Sequence, residues 1–289
     1  MRIAHLSDIH VLDLTEVRWT RFLNKRLTGL VNLVGHRKNA HPQALRETAV
    51  AELAVAPDID HVVVTGDLTN LALESELTRA RELLSPLAGR LSVIPGNHDV
   101  YTRGAERSRR FEGHFGDWMW TGGEGHHYPW IKLLGPSDAG VALLGFSSAV
   151  ARLPFIATGV VSAAQIARLG SLVSEGAFGG RTPVALVHHN LHARGFRKDK
   201  MHGLSGREAF LTALEQAGVK LLLHGHTHVA HRMHAHGLDV IGSGSSTWAS
   251  EDPRHIARYN VYDVGPGGLE KVEIRTYSAH ARAFVTHAT

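Results

Sequence analysis

Cysteine is absent from this chain of 289 residues. Disulfides and thiolate metal ligation are therefore excluded, and any metal site must use nitrogen and oxygen donors. The redox compartment stays open. No run approaches the roughly 18 apolar residues that span a bilayer, and the N-terminus reaches Asp8 before an apolar signal core develops. The cytoplasm is the expected location. Charge of one sign is not in large excess: 31 Lys and Arg stand against 27 Asp and Glu, and the pI is about 9.5. That bias is too mild to argue for nucleic acid. No repeat and no linker interrupts the chain, so one domain over residues 1–289 is the simplest expectation.

What the chain does have is ordinary globular material, 43% hydrophobic and 20% charged, and 22 histidines, several of them clustered beside glycine. His61-Val-Val-Val-Thr-Gly-Asp67 is a short apolar run ending in a Gly-Asp pair. It reads as a buried strand that delivers Asp67 from its C-terminal end, where open α/β sheets place their sites. Residues 2–7, Leu91–Ile94, Val141–Phe146, Val184–Val187 and Val219–Leu223 read the same way. Helical patterns cover 43–56 and Leu77 to Leu87, and Ser162/Gln165 and Ser205/Glu208 form capping boxes for two more helices, the second closing at Gly218. Short alternating strands follow around 231–236, 238–242, 258–264 and 269–277, the last two joined by Gly265-Pro-Gly-Gly268. The stretch 102–130 reads as a long loop or partial helix beside the site.

Residues 14–38 differ in character. Trp19, Phe22, Leu23, Leu27, Leu30, Val31 and Val34 recur at helical spacing among Arg18, Arg21, Lys25, Arg26, Arg37 and Lys38. A basic amphipathic segment of this kind either packs on the body or lies on a membrane surface, here through about 18–34.

Five strand-to-loop junctions carry one kind of chemistry: Asp8-Ile-His10, Gly66-Asp67, Gly96-Asn97-His98-Asp99, His188-His189 and Gly225-His226-Thr-His228. In Asp-x-His and His-x-His the two side chains share a face if the backbone is extended, and both can approach one ion. Carboxylate, imidazole and amide oxygen together suit borderline divalent ions such as Mn, Fe, Co or Zn. Each motif alone is ordinary: a lone Asp-x-His is usually solvated and a lone Asn is usually a turn residue. Five at the ends of apolar strands in one chain are not an accident of composition.

As an ordered set, Asp8-x-His10, Gly66-Asp67-x-x-Asn70, Gly96-Asn97-His98-Asp99, His188-His189 and Gly225-His226-x-His228 resembles the calcineurin-like metallophosphoesterase superfamily. The resemblance spans residues 5 to 228. It implies an α/β fold, a four-layer α-β-β-α sandwich with two mixed β-sheets. It implies two divalent metal ions, one held by Asp8, His10, Asp67 and His228, the other by Asn97, His188 and His226, with Asp67 bridging. His188 is preferred to His189 because it directly ends its strand. His98 resembles the family histidine that faces the phosphoryl group and its leaving oxygen, with Asp99 orienting its ring. The implied reaction is hydrolysis of a phosphodiester or pyrophosphate by in-line attack of a hydroxide bridging the ions.

Length and Asn70 look closer to the small bacterial phosphodiesterases than to protein phosphatases. Lys25-Arg26-Leu-x-Gly29-Leu-x-Asn32, followed by Arg37-Lys38, is similar to an insertion in bacterial enzymes that cleave UDP-2,3-diacylglucosamine during lipid A synthesis. An acylated sugar nucleotide needs apolar surface and cations, and this segment offers both. Asn70, Arg103 and Arg107 are the expected substrate contacts. The expected partner is thus a phosphorylated small molecule or lipid-linked substrate, with peripheral contact at the inner membrane surface. A soluble cyclic-nucleotide or glycerophosphodiester phosphodiesterase is the alternative, and a nuclease or a non-catalytic scaffold are lesser ones. Ser243, Ser245 and Ser246 read as an ordinary turn, and His5, His36, His126, His127, His231, His234 and His236 carry no assignment.

Overall fold

The computed structural model describes every residue except 16, 23, 33–39, 122–126, 251 and 288–289, and only the backbone at 19, 32 and 287. Its first third forms β1 (Arg2–Leu6), α1 (Lys25–Asn32), α2 (Gln43–Val55), β2 (His61–Val64), α3 (Glu74–Leu84) and β3 (Leu91–Val93). Next come α4 (Arg103–Arg107), α5 (Arg110–Phe115), β4 (Trp130–Leu134), β5 (Val141–Gly145), β6 (Gly159–Val160), α6 (Ala163–Ser174) and β7 (Thr182–Leu186). The last third adds α7 (Phe196–His202), β8 (Leu204–Ser205), α8 (Arg207–Gln216), β9 (Leu221–His224), β10 (Ala230–Ala235), β11 (Leu238–Ser243), β12 (Arg258–Gly265), β13 (Gly268–Ser278) and β14 (Ala283–His287).

Two mixed six-stranded sheets carry the molecule, ordered β14-β13-β12-β1-β2-β3 and β10-β11-β9-β7-β5-β4. Strands β1, β2 and β3 run parallel, as do β5, β7, β9 and β11, and antiparallel strands complete each sheet. A parallel strand covered on both faces needs no polar alternation, and every residue of β2 is buried. In the second sheet the faces separate by the period of two. Val184, Leu186, Leu221 and Leu223 share a buried cluster with Ile3 and Val63, which strand pairing sets on one face of the first sheet. Ala185, Val187 and Leu222 instead pack outward against Leu169 and Leu172 of α6 and Phe210, Leu211 and Leu214 of α8. Helices α2 and α3 cover the first sheet through Leu45, Leu53, Leu77 and Leu84. The expected four-layer arrangement follows from these contacts.

The parallel strands bring the loops after β1, β2, β3, β7 and β9 to one edge. Antiparallel β12 then lays the segment before it along the β1 loop, where Ser246 N donates to Ser7 O at 2.9 Å and Ser245 Oγ to Asp8 O at 2.9 Å. Three local expectations need correction, while the stretch 102–130 takes the second of its two readings, a partial helix, as α4, α5 and a 3-10 turn (Gly116–Trp118). Ser162 caps α6 as expected, accepting from Gln165 N, but Ser205 lies in β8 and Gly206, at φ +73°, precedes α8. Within 14–38 the described residues form a 3-10 turn at Trp19–Phe22 and the separate helix α1, while Leu23, Val34, Arg37 and Lys38 lie outside the described residues, as do His36 and His126. Its faces are also not those of a simple amphipathic helix. Arg26 points inward, its guanidinium satisfied by Leu71 O at 2.7 Å and Ala72 O at 2.8 Å, whereas Leu27 and Val31 are 51% and 66% exposed.

Candidate metal centre

The loops place Asp8, His10, Asp67, Asn97, His188, His226 and His228 around one point. Extended backbone does not do it. Asp8, His10, Asp67, His226 and His228 all adopt positive φ, between +52° and +71°, a region that costs a non-glycine residue about 1–3 kcal/mol. Bonds between loops hold them there: Asp8 N to Gly66 O, His10 N to Asp67 O and Gly225 N to His188 O, all 3.0–3.1 Å. Gly225 is required by proximity, since a β-carbon there would overlap Ser7 Oγ and the Asp8 carboxylate.

One oxygen of each carboxylate is used by the protein. Asp8 Oδ2 accepts from Ser7 Oγ and His226 N, and Asp67 Oδ1 accepts from His98 N. The other oxygen faces the cluster. Asp8 Oδ1 lies 3.1 Å from His228 Nε2, and Asp67 Oδ2 lies 3.3 Å from His188 Nε2 and 3.9 Å from His10 Nε2. His10 and His228 set their Nε2 atoms 3.1 Å apart, and Asn97 Oδ1 is 3.2 Å from His188 Nε2. Donors at about 2.1 Å from one ion stand about 3 Å apart when at right angles. Buried Asp8 Oδ1, which faces the cluster, has no hydrogen-bond partner of good geometry, a state that is costly without another ligand. Two groups, Asp8–His10–Asp67–His228 and Asp67–His188–His226, have the spacing to hold an ion each.

Backbone carbonyls set the histidine tautomers. His188 Nδ1 donates to Thr65 O at 2.7 Å, leaving the Nε2 lone pair on the cluster, and His226 Nε2 donates to His202 O at 2.7 Å, leaving Nδ1. The neighbouring His189 has both nitrogens engaged, with Ser148 Oγ at 2.7 Å and Ala157 O at 3.0 Å. Burial opposes charge on His188, but the Asp67 carboxylate beside it prevails and raises it to about 9, so in the metal-free protein Nε2 holds a proton that a bound ion would displace to reach the lone pair. Burial likewise pushes Asp67 and Asp8 up, and the surrounding imidazoles more than offset it, holding both below the usual carboxylate range. Burial takes His226 down to about 3.

Three expected roles change. Asp99 does not orient His98. Its carboxylate accepts from Leu68 N, Thr69 N, Thr69 Oγ1 and Gly96 N, tying the Asp67 loop to the Asn97 loop, while His98 Nδ1 donates to Asn70 O at 2.7 Å. Asn70 is not a substrate contact either: it is buried, with Nδ2 donating to His10 O at 2.8 Å. Arg103 and Arg107 sit on the exposed face of α4, because Ala105 between them packs into the apolar cluster with Leu71 and Tyr101. They lie outside the cleft of about 530 Å³ that opens onto Asp67, Asn97, His98, His226 and His228. The side walls of that cleft include Lys25, Tyr101, Phe155, Arg194 and Trp248. Of these, only Lys25 lay in a segment flagged by its composition; the others carry no local motif.

The sequence model of the family described as calcineurin-like phosphoesterase matches residues 1–230. The chain belongs to that family. A search of curated protein sequences finds no match. Among solved structures the chain is similar to a dimetal phosphatase from Danio rerio, at 15% identity and a TM-score of 0.57, covering 99% of this chain and 98% of that one. It is also similar to a purple acid phosphatase from yellow lupin (Lupinus luteus) seeds, at 13% identity and a TM-score of 0.61, covering 99% of this chain and 52% of that one. These two likenesses concern the fold. Family membership makes the protein a metal-dependent phosphoric ester hydrolase using a dinuclear divalent centre, and the two Asp/His groups are able to bind such ions. No helix among the described residues is long and apolar enough to cross a membrane.

Proposed function

We propose that this calcineurin-like phosphoesterase hydrolyses a phosphodiester or pyrophosphate bond, with Asp8, His10, Asp67 and His228 holding one ion and Asn97, His188 and His226 the other. Asp67 Oδ2 carries the reading: a single carboxylate oxygen reaches toward His10 on one side and His188 on the other. When bound, two such ions polarise phosphoryl oxygens and lower the pKa of a coordinated water. His98, on the cleft wall with Nδ1 committed to Asn70 O, presents Nε2 to a leaving oxygen, where it donates a proton or a hydrogen bond. Asn70 positions both His10 and His98, and Asp99 joins the two loops that carry Asp67 and Asn97.

For the substrate, the cleft favours an anionic group attached to an apolar one, of which UDP-2,3-diacylglucosamine is an example. Lys25 Nζ stands 4.5 Å over the Tyr101 ring, and Tyr101 stacks on His98 at 5.5 Å. With Arg194 it supplies cations beside the reacting centre. The rim is apolar: Phe155 is 76% exposed, and Leu27, Val31, Leu153 and Phe196 are exposed on the same or neighbouring segments. Arg152, Arg197, Lys198 and Lys200 accompany them. That combination suits peripheral contact with an anionic bilayer.

A hydrolysis panel on metal-reconstituted protein tests the reading, with bis-(p-nitrophenyl) phosphate, a cyclic nucleotide, UDP-2,3-diacylglucosamine and single-stranded DNA. Preference for the acylated sugar nucleotide, lost in Asn97→Ala and His98→Ala, is the expected result. Turnover of small diesters alone refutes the lipid substrate and leaves a soluble phosphodiesterase. Sedimentation with phosphatidylglycerol vesicles, comparing wild type with Phe155→Ser/Phe196→Ser, tests the bilayer contact.

A further inference from the structure

His5 belongs to none of the five motifs, yet it stands in a buried row of polar side chains that ends on Asp8. Strand pairing opposes His5 to Val63 of β2 and to Asn260 of β12, and Ile3 to Tyr262, so these residues share one face of the first sheet. Ile3 and Val63 are what such a face ordinarily presents. His5, Ser7, Thr65 and Tyr262 are fully buried, and Asn260 nearly so. Polar groups enclosed side by side are costly unless hydrogen-bonded, and here the bonds form one continuous series.

The direction of each bond follows from the last member. The ionised Asp8 carboxylate only accepts, so its 2.7 Å contact through Oδ2 takes the single proton of Ser7 Oγ. Thr65 Oγ1, 2.9 Å from Ser7 Oγ, must then donate to it. With that proton committed, Thr65 Oγ1 accepts at 2.8 Å from His5 Nε2, which therefore carries the hydrogen. Burial pulls the His5 ring down to about 3 and keeps it neutral. Nδ1 thus holds a lone pair and accepts from the Tyr262 hydroxyl at 3.1 Å, which accepts in turn from Asn260 Nδ2 at 3.0 Å. Donors aligned head to tail polarise one another. A hydroxyl is free to rotate, and the His5 N–H, by occupying a lone pair of Thr65, keeps its proton aimed at Ser7.

We propose that His5 is a positioning residue for the ion assigned to Asp8, His10, Asp67 and His228, acting through Thr65 and Ser7 on the Asp8 carboxylate, a role that rests on the dinuclear reading of the site. Together with His226 N, the series occupies Oδ2 and leaves Oδ1 as the oxygen facing the cluster. Asp67 and Asn97 receive nothing from it, so its loss weakens one metal position and spares the other.

The test uses metal-stripped full-length protein and two readouts. Long-range proton–nitrogen correlation NMR of isotope-labelled protein reads the tautomer, the His5 signals being identified by their absence from His5→Gln. A neutral ring protonated at Nε2 is expected, and protonation at Nδ1 overturns the relay whatever the variants do. Calorimetric Co(II) titration then compares wild type with Thr65→Val, His5→Leu and His5→Gln, with His228→Ala marking the class of site that contains Asp8. Two equivalents are expected for wild type. Thr65→Val keeps the carbonyl that accepts from His188 Nδ1. It and His5→Leu are expected to weaken the marked class by at least about tenfold and to leave the other unchanged. His5→Gln, which keeps an N–H donor, is expected to recover most of that loss. Urea denaturation of the metal-free variants reports the fold, and Thr65→Val carries the comparison if His5→Leu unfolds. Wild-type affinities in Thr65→Val and His5→Leu, equal losses at both classes, or no recovery in His5→Gln overturn the role of His5 alone. Fewer than two equivalents in wild type refute the dinuclear reading, and this inference with it.

Discussion

Glu76→Gln is expected to stabilise the metal-free protein at alkaline pH and to leave it almost unchanged in acid. Glu76 lies in the first turn of α3 and is buried, with Oε2 accepting from Leu71 N at 2.8 Å and Leu73 N at 3.1 Å. Arg26 holds the carbonyls of Leu71 and Ala72, so the segment directly after Asn70 is clamped from both sides. Burial raises the Glu76 carboxyl from 4.5 to about 8, against the opposing pull of those two N–H groups and of Arg26. The folded state therefore holds a proton that the unfolded chain has released between pH 4.5 and about 8. Stability falls as pH rises through that window and is level on either side of it. At about 1.4 kcal/mol per pH unit, the ceiling on this loss is about 5 kcal/mol. Glutamine keeps an acceptor for both N–H groups and carries no charge to desolvate. Urea denaturation of both proteins at pH 5, 7 and 9 gives the difference curve, in which titrations common to both cancel. A gain of at least about 2 kcal/mol at pH 9 is expected, vanishing toward pH 5. A flat difference, or a variant weaker at pH 9, would show that the carboxyl is ionised in the fold and that Arg26 compensates it.

The adjacent histidines offer a sharper contrast. His188→Gln is expected to lose one of two bound metal equivalents, and His189→Gln, whose parent ring is already bonded at both nitrogens, to keep both; elemental analysis after dialysis separates them. Arg103→Ala and Arg107→Ala are expected to leave KM within about twofold of wild type, consistent with a surface charge of little energetic weight; a larger rise would return α4 to the substrate path. Gly225→Ala, forcing a methyl onto Ser7 and Asp8, is expected to cost about 1–3 kcal/mol in a denaturant titration and at least about tenfold in metal affinity.

The fold and the ligand candidates were legible for one physical reason: both are written in short-range sequence. Val62–Val64 has to be buried on both faces, so it reads as a central strand, and a chain leaving such a strand presents Gly66-Asp67 at the sheet edge. The supporting contacts have no such local signature. Arg26 meets Leu71 across 45 residues and His41 meets Thr247 across 206, and each looks like surface material until the partner is known. Composition misassigned Arg26 for that reason: a cation in a basic stretch is ordinarily solvated, but Leu71 O and Ala72 O are buried acceptors that need donors, and the Arg26 guanidinium turns inward to bond both. The same logic reassigns Asp99. A Gly-Asn-His-Asp run suggests that the aspartate serves the adjacent histidine, yet four N–H and O–H donors from two loops saturate its carboxylate, and the His98 ring is left to a carbonyl 28 residues away. Motif spacing therefore locates the Asp and His groups that the fold gathers into one cluster, while the groups that hold them at positive φ are chosen by long-range hydrogen bonding, which spacing does not encode.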